Sequence, residues 1–228
     1  MSYEKVNFFL LRENRDFRER LQSVNLSKNQ KLAMSTQLLQ PKKKDAQIFP
    51  NVSWEQFEAI EQSFEGIVGV KFAYLDGTLE IMTISPEHED TKSTIVRLLE
   101  AYMDEKDIRF YKRGSPSLGT KDLGARSEPD ESYNLDTKKS FPDLVIEVVI
   151  TSGGVDKLAG YQRMGVTEVW FWEDGVLAIH HLRNKGYQKV RRSALLPDLP
   201  LDIFTKYITY YDQYDAVKEF RAALRQVS

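Results

Sequence analysis

The chain has 228 residues, 41% of them hydrophobic, which is enough for one sizeable core. It contains no cysteine, which excludes a disulfide framework and a metal site built on thiolates. The formal net charge of −2 gives no global attraction to polyanions and argues against a protein that coats DNA without specificity.

The first 45 residues are polar and weakly patterned, and we expect an N-terminal extension (1–45) ahead of a folded domain (46–228). It is interpreted as an arm, a tail or a dimerisation helix, which leaves a homodimer open. The longest apolar run near the start, Phe8–Leu11, is too short for a signal peptide or a membrane span. The sequence therefore predicts a soluble, cytoplasmic protein with no membrane partner.

The folded domain begins with signals for a short helix and a hairpin. Ser53 followed by Gln56 is a capping-box pattern and predicts a helix over Trp54–Gln62. Asp76 and Gly77 form a strong hairpin-turn signal between two apolar runs. The two predicted strands are Val70–Tyr74 and Leu79–Thr83.

Ser85 and Pro86 then predict the start of a longer helix, as N-cap and first-turn proline. Its apolar positions recur at helical spacing: Ile95, Leu98, Leu99, Tyr102 and Met103. His88 shares this face, so we expect its ring to point towards the sheet. The simpler alternative is a histidine that caps the helix or is satisfied within the core.

The remaining elements alternate between strands and helices, with a Gly/Ser/Pro-rich loop predicted over 113–126. Gly165 is expected to end the helix that leads to Met164, as its C′ residue. The predicted strands are 108–112, 128–133, 144–150, 169–172, 177–182 and 187–191, and a last helix is predicted over 207–225. The order helix, three strands, helix, strand, flanked by hairpins and terminal helices, predicts an α/β fold with a mixed sheet.

Glu147 stands in the middle of the most hydrophobic strand of the chain. An ionised carboxylate in a low-dielectric interior costs several kcal/mol, so a metal ion, a cation or a functional cleft must compensate it. Asp130 follows Pro129, with sixteen residues between it and Glu147, and pairing of their strands would bring the two carboxylates together. Hard oxygen ligands of this kind suit Mg²⁺ or Mn²⁺, with the backbone carbonyl of Val148 as a third ligand. The alternative for Glu147 is a structural ion pair.

Pro129-Asp130, the sixteen-residue spacing and Glu147-Val148-Val149 resemble the PD-(D/E)XK motif of restriction-endonuclease-like nucleases. The runs GTLEIM, SPEH, PDLVIEVV and DKLAGYQRMGVTEVWFW resemble the Uma-type endonucleases, a bacterial family, over roughly residues 50–205. The resemblance implies an αβββαβ core, and His88 matches the family's histidine. Val149 stands where the motif has a lysine, and the family's lysine on the following helix corresponds to Lys157. Its long stem can reach back towards the strand, although a solvated helix lysine is the alternative.

The hypothesis that follows is a Mg²⁺-dependent endonuclease that hydrolyses phosphodiester bonds in nucleic acid, DNA being the expected form. Asp130 and Glu147 hold the metal, Lys157 orients the attacking water or neutralises the transition state, and His88 assists. The loop over 112–126 is expected to contact phosphates through its backbone. Two alternatives stay open: a non-catalytic interaction module with a decayed site, and a hydrolase of small nucleotide phosphate esters.

Overall fold

A computed structural model describes residues 46–149 and 155–226, so the predicted N-terminal extension lies outside the described residues. The strands in these ranges are β1 Ala46–Phe49, β2 Val70–Leu75, β3 Thr78–Thr83, β4 Phe110–Lys112, β5 Leu118–Thr120, β6 Ala125–Ser127, β7 Glu131–Leu135, β8 Leu144–Val149, β9 Glu168–Glu173, β10 Val176–Arg183 and β11 Gly186–Val190. The helices are α1 Trp54–Ser63, α2 Pro86–Glu105, α3 Lys157–Met164, α4 Leu201–Ile208 and α5 Gln213–Leu224. No helix in the described ranges is long and apolar enough to cross a membrane.

The strands form two sheets. Sheet A has the order β1-β3-β2-β6-β5, and sheet B has the order β11-β10-β9-β8-β7-β4. Only β8 and β9 pair in parallel among the described strands, and α3 lies in the crossover between them. Apart from β5 and β6, which belong to sheet A, the elements from α2 to β9 run in the order helix, three strands, helix, strand. The predicted α/β fold with a mixed sheet and a restriction-endonuclease-like core is confirmed.

Sheet A has one aromatic face and one face that carries charged side chains. Phe72 and Tyr74 alternate with Lys71 and Ala73 along β2, and β3 places Glu80 directly opposite Ala73. The aromatic face packs on α1, whose start carries the predicted capping box between Ser53 and Gln56. Because side chains alternate across a strand, Lys71, Ala73 and Glu80 share the opposite face.

Strand β8 is buried on both faces, and its two faces belong to different clusters. Leu144, Ile146 and Val148 join the large core formed with α2, α4 and α5. Val145 joins a second cluster with Tyr161 of α3 and with residues of β5, β6 and β9. By alternation, Glu147 shares the face of Val145 and points towards α3 rather than into the large core.

Several local predictions were wrong. The helix predicted over 207–225 begins only at Gln213, as α5, where Asp212 caps it through the backbone N–H groups of Tyr214 and Asp215. Residues 207–208 are instead the end of α4, whose earlier part was not predicted. The loop predicted over 113–126 contains β5 and most of β6, which pair with each other. The strand predicted over 128–133 begins only at Glu131, because the chain passes from sheet A to sheet B between Ser127 and Glu131.

Candidate metal and catalytic site

The two predicted carboxylates lie side by side at the point where the chain enters sheet B. Glu131 pairs with Ile146, and one step further along the same antiparallel register Asp130 faces Glu147. The backbone N–H of Asp130 donates to the Ile146 carbonyl at 3.1 Å, and Oδ2 of Asp130 accepts from the Val148 N–H at 2.7 Å. Asp130 is 2% exposed and Glu147 is 1% exposed. The structure therefore brings together Asp130, Glu147 and the backbone of Val148.

Asp130 is paired with a lysine that the sequence analysis did not single out. Lys71 of β2 approaches Oδ1 of Asp130 through Nζ at 2.5 Å, and His88 donates from Nε2 to Oδ2 at 2.9 Å. Burial by itself raises the pKa of Asp130, but the hydrogen bond from His88 and the charge of Lys71 outweigh it and hold this pKa well below its usual range. Asp130 is therefore an ionised, charge-compensated group.

Glu147 takes both of its side-chain partners from α3. Lys157 donates from Nζ to Oε2 at 2.6 Å, and Tyr161, one turn further along the helix, donates from its hydroxyl to Oε1 at 2.5 Å. Burial lowers the pKa of Lys157, but the charges of Glu147 and Asp130 outweigh it and raise this pKa above the ordinary value. Lys157 is therefore an ammonium group directed at the buried carboxylate, and the alternative of a solvated helix lysine was wrong.

Glu80 is a third buried carboxylate at this place and was also missed. It is 3% exposed, and its Oε2 accepts from the Val155 N–H, just before α3, at 2.9 Å. Burial raises the pKa of Glu80, while the charge of Lys157 acts in the opposite direction. From the sequence alone, Lys71 and Glu80 would be placed on the solvent-exposed face of a hairpin. Only the packing of sheet A against other elements buries that face. Alternation within the hairpin carries no signal for this packing.

His88 lies in the first turn of α2, whose N-cap Ser85 accepts from the His88 N–H at 3.2 Å. The ring points to Asp130, as the helical spacing predicts. Because Nε2 of His88 donates to Asp130, Nδ1 is the ring nitrogen that could contact a further group. Nδ1 is buried without a hydrogen-bond partner among the described residues and lies 3.6 Å from Oε1 of Glu89.

The four basic side chains of the predicted phosphate-binding loop have partners within the chain. Lys112 pairs with Glu100, Lys121 with Glu55, Arg126 with Glu61, and Arg113 donates to Asn134. The first part of the loop approaches Asp130, where Ser115 donates to the Pro129 carbonyl. That carbonyl also accepts from Nζ of Lys71 at 2.9 Å.

The donor chemistry at Asp130 and Glu147 fits a divalent cation such as Mg²⁺, which prefers carboxylate and carbonyl oxygens. A carboxylate has about four acceptor positions, and the contacts among the described residues use three on Asp130 and two on Glu147. Both groups therefore retain acceptor capacity. Within residues 46–149 and 155–226, no group of three or more His, Cys, Asp or Glu side chains is arranged to hold a metal. A cation held by Asp130 and Glu147 would therefore need further ligands besides these two side chains.

Comparison with known families gives a match. A family model named Uma2, described as a putative restriction endonuclease, matches residues 54–207, which is more than half of the chain. The matched range includes all the charged residues described above. No curated protein matches the chain.

Proposed function

Since the chain belongs to the Uma2 family, we propose that it is a metal-dependent endonuclease that hydrolyses phosphodiester bonds in nucleic acid, with DNA as the expected form. The observation that carries the proposal is the pair of buried carboxylates, Asp130 and Glu147, facing each other across β7 and β8 with a lysine on each. Burial of two acids and two lysines in one place is unfavourable unless the group has a function or an unusually complete set of partners.

Asp130, Glu147 and the carbonyl of Val148 would hold Mg²⁺ or Mn²⁺. When bound, such an ion supplies Lewis acidity and a water of lowered pKa. Tyr161 fixes Oε1 of Glu147, and His88 and the Val148 N–H fix Oδ2 of Asp130. Both carboxylates are thus held in place by neighbouring groups that are buried or belong to a helix.

Lys157 acts as a fixed positive charge in this proposal. Because its pKa is raised, its ammonium group remains protonated and cannot accept a proton from water near neutral pH. It donates hydrogen bonds instead, to the attacking water or to the phosphoryl oxygens whose charge grows in the transition state. This supports the interpretation that Lys157 replaces the lysine that the motif would place at Val149.

The nucleic-acid backbone would approach along the first part of the loop over 112–126. Arg113 to Ser117 adjoin Pro129 and Asp130 through the contact of Ser115, and Gly114 and Ser115 offer backbone groups of the kind that bind phosphate. Lys121 and Arg126 lie on the other side of this loop and pair with acids of α1, so we assign them a structural role.

A non-catalytic interaction module is the second candidate. It is favoured by Val149 in the lysine position and by the charge balance of the two carboxylates with Lys71 and Lys157. Under this alternative the carboxylates and lysines form a structural network, and no substrate is hydrolysed.

The test is a cleavage assay on single- and double-stranded DNA and RNA, with Mg²⁺, Mn²⁺ or EDTA. We expect cleavage that depends on the divalent ion and is lost in Asp130→Asn. Asp136→Asn is the matched control, because Asp136 is exposed and its positive φ of 61° suits asparagine. Hydrolysis of only a small diester such as bis-p-nitrophenyl phosphate would favour the small-ester alternative, and no hydrolysis at all would favour the interaction module.

A further inference from the structure

Lys71 is the second residue of β2 in sheet A, whereas the carboxylates belong to sheet B. It is 6% exposed, and its Nζ contacts Oδ1 of Asp130 at 2.5 Å and the Pro129 carbonyl at 2.9 Å. Lysine is almost never this deeply buried unless it is paired. The family resemblance assigns no lysine to this position, and the proposed mechanism does not use it.

The two oxygens of Asp130 have different surroundings. Oδ2 is held by the Val148 N–H and by His88, both fixed by secondary structure. Among the described residues, Oδ1 is contacted by Lys71 alone. Oδ1 is therefore the oxygen with the most room for a metal, and an ammonium group already lies against it.

We propose that Lys71 is a built-in counterion that competes with the divalent cation for Asp130, and so sets the metal concentration at which the site fills. The inference rests on the proposed function, because it takes Asp130 as a metal ligand. Two positive charges that share one carboxylate a few ångströms apart repel each other even in a water-like dielectric. Lys71 thus stabilises the metal-free site and weakens metal binding by the same interaction.

A purely positioning role for Lys71 predicts the opposite change in metal affinity. If Lys71 only holds Asp130 in place, its removal disorders the ligand and weakens metal binding. If Lys71 is a competitor, its removal strengthens metal binding, while the Val148 N–H and His88 still orient Asp130. The direction in which metal affinity changes when Lys71 is removed therefore separates the two roles, without any measurement of cleavage.

The experiment is calorimetric titration of the full chain with Mn²⁺ after treatment with EDTA, for the wild type, Lys71→Met, Lys71→Gln and Lys71→Arg. Methionine is unbranched and close to lysine in size but carries no charge, and arginine retains the charge. We expect the neutral variants to bind Mn²⁺ on the order of tenfold more tightly than the wild type or more, and Lys71→Arg to stay near the wild type. Lys185→Met, in the exposed turn between β10 and β11, is the control and should leave the affinity unchanged.

The melting temperature gives a second readout. In EDTA the neutral variants should melt lower than the wild type, and saturating Mn²⁺ should raise their melting temperature by more than it raises that of the wild type. If Lys71→Met does not fold, the comparison of Lys71→Gln with Lys71→Arg still isolates the charge. Equal or weaker Mn²⁺ affinity in the neutral variants would overturn the role of Lys71 and leave the proposed function standing. If neither the wild type nor any variant binds Mn²⁺, both proposals fail.

Discussion

Two buried carboxylates on neighbouring strands of sheet B, Glu168 and Glu147, differ in how their charge is compensated. Glu168, the first residue of β9, is fully buried and paired with hydrogen-bond donors on both oxygens. Its partners are His181 Nδ1 at 3.0 Å, Trp170 Nε1 at 3.0 Å, Ser193 Oγ at 2.6 Å, and the backbone N–H groups of Ala194 at 2.6 Å and Leu195 at 3.4 Å. Glu147, on the neighbouring strand β8, has two side-chain partners among the described residues, one of them a lysine.

The comparison indicates how a buried acid in a structural role differs from one in a candidate site. Five donors fill the roughly four acceptor positions of Glu168, so it has no capacity for a further ligand, and they tie the segment around Ser193 to the sheet. Glu147 keeps acceptor capacity, and both of its partners come from a single helix. A saturated carboxylate contributes to stability, whereas an unsaturated one paired with an ammonium group can bind something else.

The largest expected effect is on activity at Glu147. Glu147→Gln removes a proposed metal ligand and the counter-charge of Lys157, and we expect cleavage to fall on the order of a thousandfold. Calorimetry should show that Mn²⁺ binding is lost as well. Glu58→Gln, on the exposed face of α1, is the control. Wild-type metal affinity in Glu147→Gln would remove Glu147 from the proposed ligands.

Glu168→Gln should affect stability rather than cleavage, unlike Glu147→Gln. The amide places an N–H₂ group against donors that need an acceptor, so we expect the free energy of unfolding to fall by about 2–4 kcal/mol. Chemical denaturation measures this change, and the cleavage rate per folded molecule should match the wild type. A loss of activity without a loss of stability would contradict the structural role assigned to Glu168.

The sequence alone predicted Glu147 because a charge inside an apolar strand is costly, and Asp130 because its spacing allows the two strands to pair. The same reasoning passed over Glu168, since an acid at the first position of a strand is ordinary. It missed Lys71 and Glu80 because their burial depends on how sheet A packs, which alternation within one hairpin does not encode. It joined the last two residues of α4 to α5 because the junction contains no Gly or Pro and only Asp212 signals a cap there, and it did not predict the earlier part of α4. Strands β5 and β6 are three residues each, too short for a detectable period.

Substitution of Lys157 tests whether its ion pair with Glu147 takes part in cleavage or is structural. Lys157→Ala removes one preorganised charge from Glu147, and we expect about a hundredfold slower cleavage with metal binding retained. Val149 shares the face of Glu147, so Val149→Lys in the Lys157→Ala background should recover part of the activity. Steady-state cleavage rates and Mn²⁺ titrations of the three proteins check this. Wild-type cleavage by Lys157→Ala would show that the ion pair with Glu147 is structural, like the contacts of Glu168.

The smallest expected effect concerns Glu80, which lies between the two classes because it is buried with one hydrogen bond from Val155. Its folded-state pKa is raised above the ordinary 4.5, mainly by burial. An acid with a raised pKa binds its proton more tightly in the folded state, so its ionisation lowers stability as the pH rises above about 4.5. Glutamine resembles the protonated acid and can still accept from Val155. Glu80→Gln should therefore raise the melting temperature at pH 7 in EDTA by roughly 1–3 °C, and this gain should vanish at pH 4. A lower melting temperature at pH 7 would mean that the charge of Lys157 stabilises ionised Glu80 by more than burial costs it, and would place Glu80 with the compensated carboxylates.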